Sequence, residues 1–169
     1  NYGVNLMIHK QSGSLTGWIS CAVGRALRTF DDPDYPSVYP ASHERIYELN
    51  ALCSYEYEKW QFSGTFVCAG GTPFTAPESF YLSAGNLITK YGEYNSSRLR
   101  PYIRLDLSVN FSFRKDGRQE NGLNISVYNV LARKNEIMWR LNIDDGTFSY
   151  RPMAFFMRMM PSISYYHKF

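Results

Sequence analysis

The sequence predicts an all-β chain whose antiparallel strands, about seven of them, cross a membrane as part of a β-barrel. Three observations predict this fold: strict alternation of apolar and polar residues, unusually long alternating segments, and connections that alternate between short and long. The 169 residues are 17% aromatic, and mean hydropathy is only −0.36. No stretch approaches the roughly 18 apolar residues of a spanning helix, whereas alternating strands cross a membrane at this average hydropathy.

The clearest strand is YIRLDLSVNFSFR, residues 102–114. Every odd position from 103 to 113 is apolar, and every even position from 104 to 114 is polar. This period of two is typical of a β-strand and excludes a helix here. Weaker forms of the same alternation predict six more strands, at 3–10, 14–26, 44–57, 60–70, 122–129 and from about Met153 to Phe169.

The connections between these segments alternate in length. The short ones are 10–13, 58–59 and 115–119, and the long ones are roughly 29–43, 71–101 and 142–151. If neighbouring strands are antiparallel, all short turns fall on one rim and all long loops on the other, as in bacterial outer-membrane barrels. A strand of about 12 residues tilted by about 40° rises roughly 30 Å, enough to cross the hydrocarbon layer. A soluble β-sandwich has the same alternation, so strand length and loop asymmetry favour the barrel.

Aromatic residues concentrate near the predicted strand ends. Two groups at opposite rims predict the interfacial girdles of a membrane barrel. The group at the short-turn rim is Tyr55, Tyr57, Trp60, Phe113, Tyr165 and Phe169, and the group at the long-loop rim is Tyr47 and Tyr102.

The sequence gives little support for nucleic-acid binding, catalysis or metal binding. A net charge of +3 indicates no nucleic-acid partner. The three histidines and three cysteines show no catalytic or metal-ligand spacing. Arg104 and Asp106 share the polar face of one strand, which predicts structural pairing of these charges with a neighbouring strand or with a plug, and direct contact with a ligand is the alternative. We therefore predict no catalytic residue, no cofactor and no metal.

The long loop at 71–101 is the best candidate for a functional segment. Connections of about 30 residues are usually functional or disordered. Aromatic rings with a few cations suit the binding of a sugar, a siderophore or a peptide, and packing of the loop against its neighbours is the alternative. The predicted ligand-binding residues are Phe80, Tyr81, Tyr91, Tyr94 and Arg98.

Several phrases, in order along the chain, resemble the carboxy-terminal strands of TonB-dependent outer-membrane receptors. The most specific are RLDLS after Pro-Tyr, NISVYNV followed by Arg-Lys-Asn, and the ending PSISY. The resemblance implies a 22-stranded barrel whose lumen is filled by an amino-terminal plug. No plug and no TonB box occur in this chain, and it holds about a third of the strands. We therefore expect residues 1–169 to be the carboxy-terminal barrel segment of a protein several times longer.

The resemblance also implies a function: active uptake of a scarce ligand (siderophore, cobalamin, glycan or peptide) across the outer membrane of a Gram-negative bacterium. Implied partners are outer-membrane lipid, the transported ligand, the TonB complex acting through the plug, the barrel-assembly machinery and a surface lipoprotein. Three alternatives remain open. They are a small barrel of about eight strands with a structural or adhesion role, an outer-membrane barrel enzyme, and a soluble β-sandwich.

The carboxy-terminal strand resembles the signal that the barrel-assembly machinery recognises. Ile163, Tyr165 and Phe169 alternate along it, and the chain ends on an aromatic ring. His167 departs from the apolar residue expected at its position. Near the headgroups a histidine presents its polar edge to water, so we expect only a modest cost.

Overall fold

The computed structural model describes residues 1–31, 33, 36–116, 119–144, 147–154 and 158–168. Within this part the fold is all-β and antiparallel, and no helix in it is long and apolar enough to cross a membrane. In chain order the strands are β1 (Tyr2–Lys10), β2 (Leu15–Arg25), β3 (Leu27–Thr29), β4 (Val38–Pro40), β5 (Tyr47–Tyr57), β6 (Trp60–Ala69), β7 (Pro73–Phe74), β8 (Pro77–Ser83), β9 (Asn86–Tyr91), β10 (Ser97–Arg98), β11 (Tyr102–Asp116), β12 (Gln119–Tyr128), β13 (Glu136–Asp144), β14 (Thr147–Ala154) and β15 (Met160–Lys168).

Seven of these strands form one antiparallel sheet in the order β1-β2-β5-β6-β11-β12-β15. They correspond to the seven strands that the alternation predicts. Each strand pairs with the strands before and after it in this series, so the sheet is a meander. Within the described residues the sheet is open, because β1 pairs only with β2 and β15 only with β12.

One predicted boundary is wrong. The last strand begins at Met160 rather than near Met153, because Thr147–Ala154 pairs with Glu136–Asp144 in a separate hairpin. Met153 lies opposite Met138 in that hairpin. The connection before the last strand is accordingly longer than the predicted 142–151.

The strand registers place the apolar residues of neighbouring strands opposite one another. Ile125 faces Val109 on one side and Ile163 on the other, and Val109 in turn faces Phe62. Because side chains alternate between the two faces, this register gathers most of the apolar residues of the seven strands on one side of the sheet, with exceptions such as Met7 and Leu52. We call this side the apolar face. Its exposed large residues include Tyr2, Val4, Leu6, Ile8, Leu15, Ile19, Val23, Tyr47, Tyr55, Tyr57, Trp60, Phe62, Leu107, Ile125, Ile163 and Tyr165.

Nothing in the described chain covers the apolar face. Val4 is 77% exposed and Ile163 is 68% exposed. The buried apolar residues of the described chain are Tyr39, Ala41 and Ala69, none of which belongs to that face. The sheet therefore lacks the second apolar layer that normally buries one face of a strand array.

The opposite, polar face carries its own hydrogen bonds. Asn124 donates to Ser108 across two strands at 3.0 Å, and Gln61 donates to Ser54 at 3.1 Å. Asn110 donates to Tyr166 at 3.0 Å. The first two pairs link neighbouring strands, and the Asn110–Tyr166 pair links β11 to β15 across β12.

Arg104 and Asp106 pair with each other on this polar face, whereas pairing with a neighbouring strand or a plug is the prediction. Arg104 Nε lies 3.0 Å from an Asp106 carboxylate oxygen, and this contact is ionic rather than a well-aligned hydrogen bond. Arg104 also donates to the hydroxyls of Tyr102 and Tyr128, at 3.0 and 3.2 Å. Tyr102 therefore lies on the polar face, and its assignment to an outward-facing girdle is wrong.

Two of the aromatic residues predicted at the short-turn rim, Tyr57 and Trp60, are direct neighbours in the sheet. Tyr57 lies opposite Trp60, and Trp60 lies opposite Phe111. The ring centroids of Trp60 and Phe111 are 4.4 Å apart. An aromatic row thus runs across the middle strands close to the 58–59 turn.

The two rims differ as predicted. Connections 11–14 and 58–59 are short and lie on one rim, whereas 26–46, 70–101 and 129–159 lie on the other. We call these three the first, second and third long loops. The second contains the β8–β9 hairpin and the third contains the β13–β14 hairpin.

Candidate ligand-binding site

The first two long loops are joined at a buried carboxylate. Glu44 is 1% exposed and accepts hydrogen bonds from Arg25 Nε at 2.8 Å and from the backbone N–H of Ala26 at 3.0 Å. Arg98 of the second loop donates to its other oxygen and also to the carbonyl of Gly71 at 3.2 Å. One side chain therefore connects the end of β2, the first loop and the second loop.

The protonation of Glu44 follows from these partners. Burial raises the pKa of a carboxyl group, but the hydrogen bonds from Arg25, Arg98 and Ala26 outweigh burial and lower the pKa of Glu44 below its usual value. The group is therefore a carboxylate at neutral pH, held by two guanidinium groups.

A buried asparagine fixes the base of the β8–β9 hairpin. Asn95 is 5% exposed and has a φ of 54°, a left-handed conformation that asparagine tolerates better than most residues. Its side-chain amide donates to the carbonyl of Pro40 at 2.8 Å and to Ser42 Oγ at 3.3 Å. Its backbone N–H donates to Thr75 Oγ1 at 3.0 Å. The second loop is thus tied to the first at a second point.

Two further buried asparagines hold the third loop. The side chain of Asn135 accepts from Ile103 N–H at 3.0 Å and donates to the Ile103 carbonyl at 2.9 Å, as a neighbouring strand would. The backbone N–H of Asn129 donates to Asp106 at 2.9 Å. Both contacts fasten the third loop to β11.

Aromatic contacts bring the two hairpins together. Phe80 stacks on Tyr150 with ring centroids 5.5 Å apart and planes inclined by 11°, and Phe74 lies 5.3 Å from Trp139. Burial and a hydrogen bond with Tyr91 raise the pKa of Tyr150. The β8–β9 and β13–β14 hairpins therefore form one aromatic assembly above the sheet rim.

Two adjoining cavities open beside this assembly. One, of about 600 Å³, lies between the second and third loops and is lined by Trp139, Arg140 and Tyr150 among others. The other, of about 770 Å³, is lined by Glu93 and Tyr94 among others. Thr75 and Tyr91 belong to both linings. We call the combined cavities the loop groove.

The five predicted ligand-binding residues fall in different places. Tyr91 lines both cavities of the loop groove and Tyr94 lines one of them. Phe80 packs on Tyr150, and Tyr81 is 53% exposed outside the two linings. Arg98 is engaged with Glu44. The alternative, that loop aromatics and cations pack the loop against its neighbours, thus describes Phe80 and Arg98 well.

Sequence reasoning missed the contribution of the third loop. Trp139, Arg140 and Tyr150 all lie in the β13–β14 hairpin. A sequence signal was present, because two alternating segments flank an Asp-Gly pair at 145–146, which is a common hairpin turn sequence.

The predicted assembly signal is only partly within the described chain. Ile163 and Tyr165 lie on the apolar face, 68% and 64% exposed, and Phe169 lies outside the described residues. His167 is opposite Asn121, and its Nδ1 contacts the Asn121 side-chain oxygen. The break in alternation at His167 is thus matched by a polar residue on the neighbouring strand.

Among the described residues, no three His, Cys, Asp or Glu side chains are close enough together to hold a metal ion. Comparison with family models, with curated proteins and with solved structures finds no match for this chain. The functional argument therefore depends on the chain's own sequence and geometry.

Proposed function

We propose that the chain is the carboxy-terminal barrel segment of a TonB-dependent outer-membrane receptor that takes up a scarce ligand. The observation that carries this proposal is the continuous, uncovered apolar face. In water an apolar surface spanning seven strands is strongly unfavourable. A lipid bilayer covers such a surface while water or a plug contacts the polar face, which is the arrangement of a membrane barrel.

The short connections at one rim and the long connections at the other support one orientation of the barrel in the membrane. Outer-membrane barrels place short turns in the periplasm and long loops outside the cell. The loop groove then faces the extracellular side, where a receptor meets its ligand. The assembly of two hairpins around this groove gives the long loops a binding role rather than a purely connecting one.

The two sheet edges support a larger barrel. Among the described residues, β1 and β15 each have one edge without a partner strand, and lipid does not tolerate unpaired backbone groups. Further strands on both sides satisfy these edges in a 22-stranded barrel. In the alternative, a small barrel of about eight strands with a structural or adhesion role, β1 and β15 close the sheet through at most one further strand.

Cell fractionation and uptake measurements test the proposal. We expect the native protein in the outer-membrane fraction, with a mass several times that of this chain, and we expect ligand uptake to cease when the TonB complex is deleted. Removal of residues 75–95 should abolish uptake while leaving the barrel in the membrane. A soluble protein, or uptake that persists without the TonB complex, would contradict the proposal, and a native mass near 20 kDa would favour the small barrel.

A further inference from the structure

One side chain crosses a whole strand on the polar face of the sheet. Tyr166 of β15 lies directly opposite Gly122 of β12, and its hydroxyl reaches past β12 to β11. There the hydroxyl accepts a hydrogen bond from Asn110 Nδ2 at 3.0 Å and forms another with Ser112 Oγ at 3.2 Å. Tyr166 therefore joins three consecutive strands of the sheet.

Gly122 provides the space for this crossing. A Cβ atom at position 122 would lie 2.5 Å from Tyr166 Cζ and 2.6 Å from its Cε1. Two carbon atoms in contact are normally about 3.5–4.0 Å apart, so any larger residue at this position would displace the ring. A glycine inside a strand often marks such a close approach, and an aromatic ring laid over it covers the open backbone.

The alternation of apolar and polar residues does not by itself fix the register of β15. A slip by one residue would exchange the two faces of the strand, but a slip by two residues keeps every side chain on its own face. After such a slip in one direction, Ile163 would lie opposite Val127, and Tyr165 would lie opposite Ile125. The apolar face would still match, so some other feature must exclude the slipped register.

The pairing of Tyr166 with Gly122 is that feature. In the slipped register Tyr166 would lie opposite Asn124, whose side chain fills the space that a glycine leaves open and donates to Ser108 at 3.0 Å. The ring would have no glycine to cross, and its hydroxyl would leave Asn110. We propose that the ring of Tyr166 and the glycine beneath it set the register in which the last strand joins the sheet.

The register of β15 has consequences for the whole barrel edge. A slip by two residues moves a strand by about 7 Å along its axis. Ile163 and Tyr165 would move by that distance relative to the membrane surface, and so would every backbone group that β15 offers to a further strand. The inference goes beyond the proposed function, because it concerns how the strands pair rather than what the protein takes up.

Engineered disulfides between β12 and β15 measure the register in the native protein in the membrane of its host. Ser126 lies opposite Ser162, and Cα atoms of directly opposite residues are about 4.5–5.5 Å apart, within disulfide range. Ser126→Cys with Ser162→Cys therefore reports the observed register. Ser126→Cys with Ser164→Cys reports the slipped register, because diagonal neighbours are about 7–8 Å apart. Mass spectrometry of the linked peptides after mild oxidation identifies each disulfide.

Three variants alter the crossing itself. Tyr166→Ser removes the ring without changing the alternation, and we expect the ratio of slipped to observed disulfide to rise by about tenfold, since the packing on Gly122 and two hydrogen bonds are lost together. Gly122→Ala should raise the ratio as well, because the added methyl group displaces the ring. Tyr166→Phe keeps the ring but lacks the hydroxyl, and its ratio should lie between those of the unmodified protein and Tyr166→Ser.

Two control variants separate the register from general damage to the sheet. Tyr165→Ser removes a ring from the apolar face of the same strand. It should lower the amount of assembled protein while leaving the disulfide ratio as it was. Gly64→Ala adds a methyl group to another strand glycine, where a Cβ atom would lie 3.3 Å from the flexible end of Leu107. It should leave the ratio unchanged too.

The observed disulfide alone in both Tyr166→Ser and Gly122→Ala would overturn the inference. An equal rise of the slipped disulfide in Tyr165→Ser would also overturn it, because the register would then depend on the aromatic content of the strand. Where Tyr166→Ser yields no assembled protein, Gly122→Ala and Tyr166→Phe decide the question. None of these results bears on uptake or cell location, so the proposed function is tested separately by fractionation.

Discussion

The seven-stranded sheet and the loop rim are stabilised in opposite ways. The sheet exposes its apolar residues on one face and buries almost nothing in the described chain. The loop rim holds the buried polar residues instead, and each of them has specific partners. These residues are Glu44, Asn95, Asn129 and Asn135.

The stability of the sheet therefore depends on what surrounds its apolar face, whereas the stability of the loop rim depends on its own contacts. Apolar area stabilises a fold only when something removes it from water, at about 25 cal/mol per Å². The sheet therefore requires something else to cover its apolar face, and in the proposed barrel lipid does so. Around Glu44 the loop rim is organised by hydrogen bonds to a charged group, which contribute about 1.5–3 kcal/mol each, whereas the Asn95 and Asn135 side chains bond neutral groups. It should respond to charge removal and acid.

The largest effect is expected from a charge placed on the apolar face. Ile125 is 49% exposed on that face, and its neighbour Ser126 points to the polar face. Ile125→Arg should cost about 2–4 kcal/mol near the bilayer midplane and sharply lower the amount of assembled barrel. Ser126→Arg, one position away, should assemble nearly as the unmodified protein does. Heat-modifiable mobility of the outer-membrane fraction measures the assembled form.

Equal assembly of the two arginine variants would show that the two faces do not meet different media. A β-sandwich in water would also be damaged more on its apolar face, so the cell fraction that holds the assembled protein separates a sandwich from a barrel in lipid. The Ile125→Arg and Ser126→Arg variants therefore test whether the two faces of the sheet lie in different surroundings.

A smaller, local effect is expected at the loop rim. Glu44→Gln removes the charge that Arg25 and Arg98 share and should destabilise the contact between the first and second loops by about 2 kcal/mol. Glu78→Gln is the matched control, because Glu78 and Lys90 are 57% and 66% exposed and 3.9 Å apart. A pair of this kind contributes less than about 1 kcal/mol. Hydrogen exchange of residues 26–46 and 70–101 measures the difference.

The hydrogen-exchange protection of the strand amides is the internal reference for that experiment. In Glu44→Gln, amides of β6 and β11 should exchange as before, because their ladder does not pass through the loop contact. Loss of protection throughout the sheet would show that the two regions are one cooperative unit, and it would contradict the comparison.

Much of the sheet could be predicted because its signal is local. The alternation from Ile103 to Phe113 is repeated in six other segments, and antiparallel neighbours need only short turns to pair. The exception is instructive. The β13–β14 hairpin also alternates. Met153 and Ala154 at the end of β14 lie close in sequence to the last strand, so the strand predicted from about Met153 joins the end of β14 to β15.

The loop rim was harder to predict because its contacts are non-local. Arg98 was placed among ligand-binding residues on its position in a long loop, and its contact with Glu44 spans 54 residues of sequence. Glu44 itself reads as an ordinary polar residue where a loop meets a strand. Asn135 pairs with the backbone of Ile103, 32 residues away, and no local pattern marks such a contact. Side chains that join loops carry no periodicity, so only the fold brings them together.

The smallest and most selective test is acid. The pKa of Glu44 is lower in the folded protein than its ordinary value of 4.5. Its contribution is therefore complete above pH 4.5 and is lost as the pH falls through the lower, folded value. Exchange of residues 26–46 and 70–101 should be unchanged between pH 7 and 5, after correction for the intrinsic rate, and should rise as the pH falls below 4.5. In Glu44→Gln this acid step should shrink, since the group that titrates is gone. An undiminished step in Glu44→Gln would assign the acid response to other carboxylates, such as Glu136 beside Arg100, and would remove Glu44 as the acid-sensitive link between the loops.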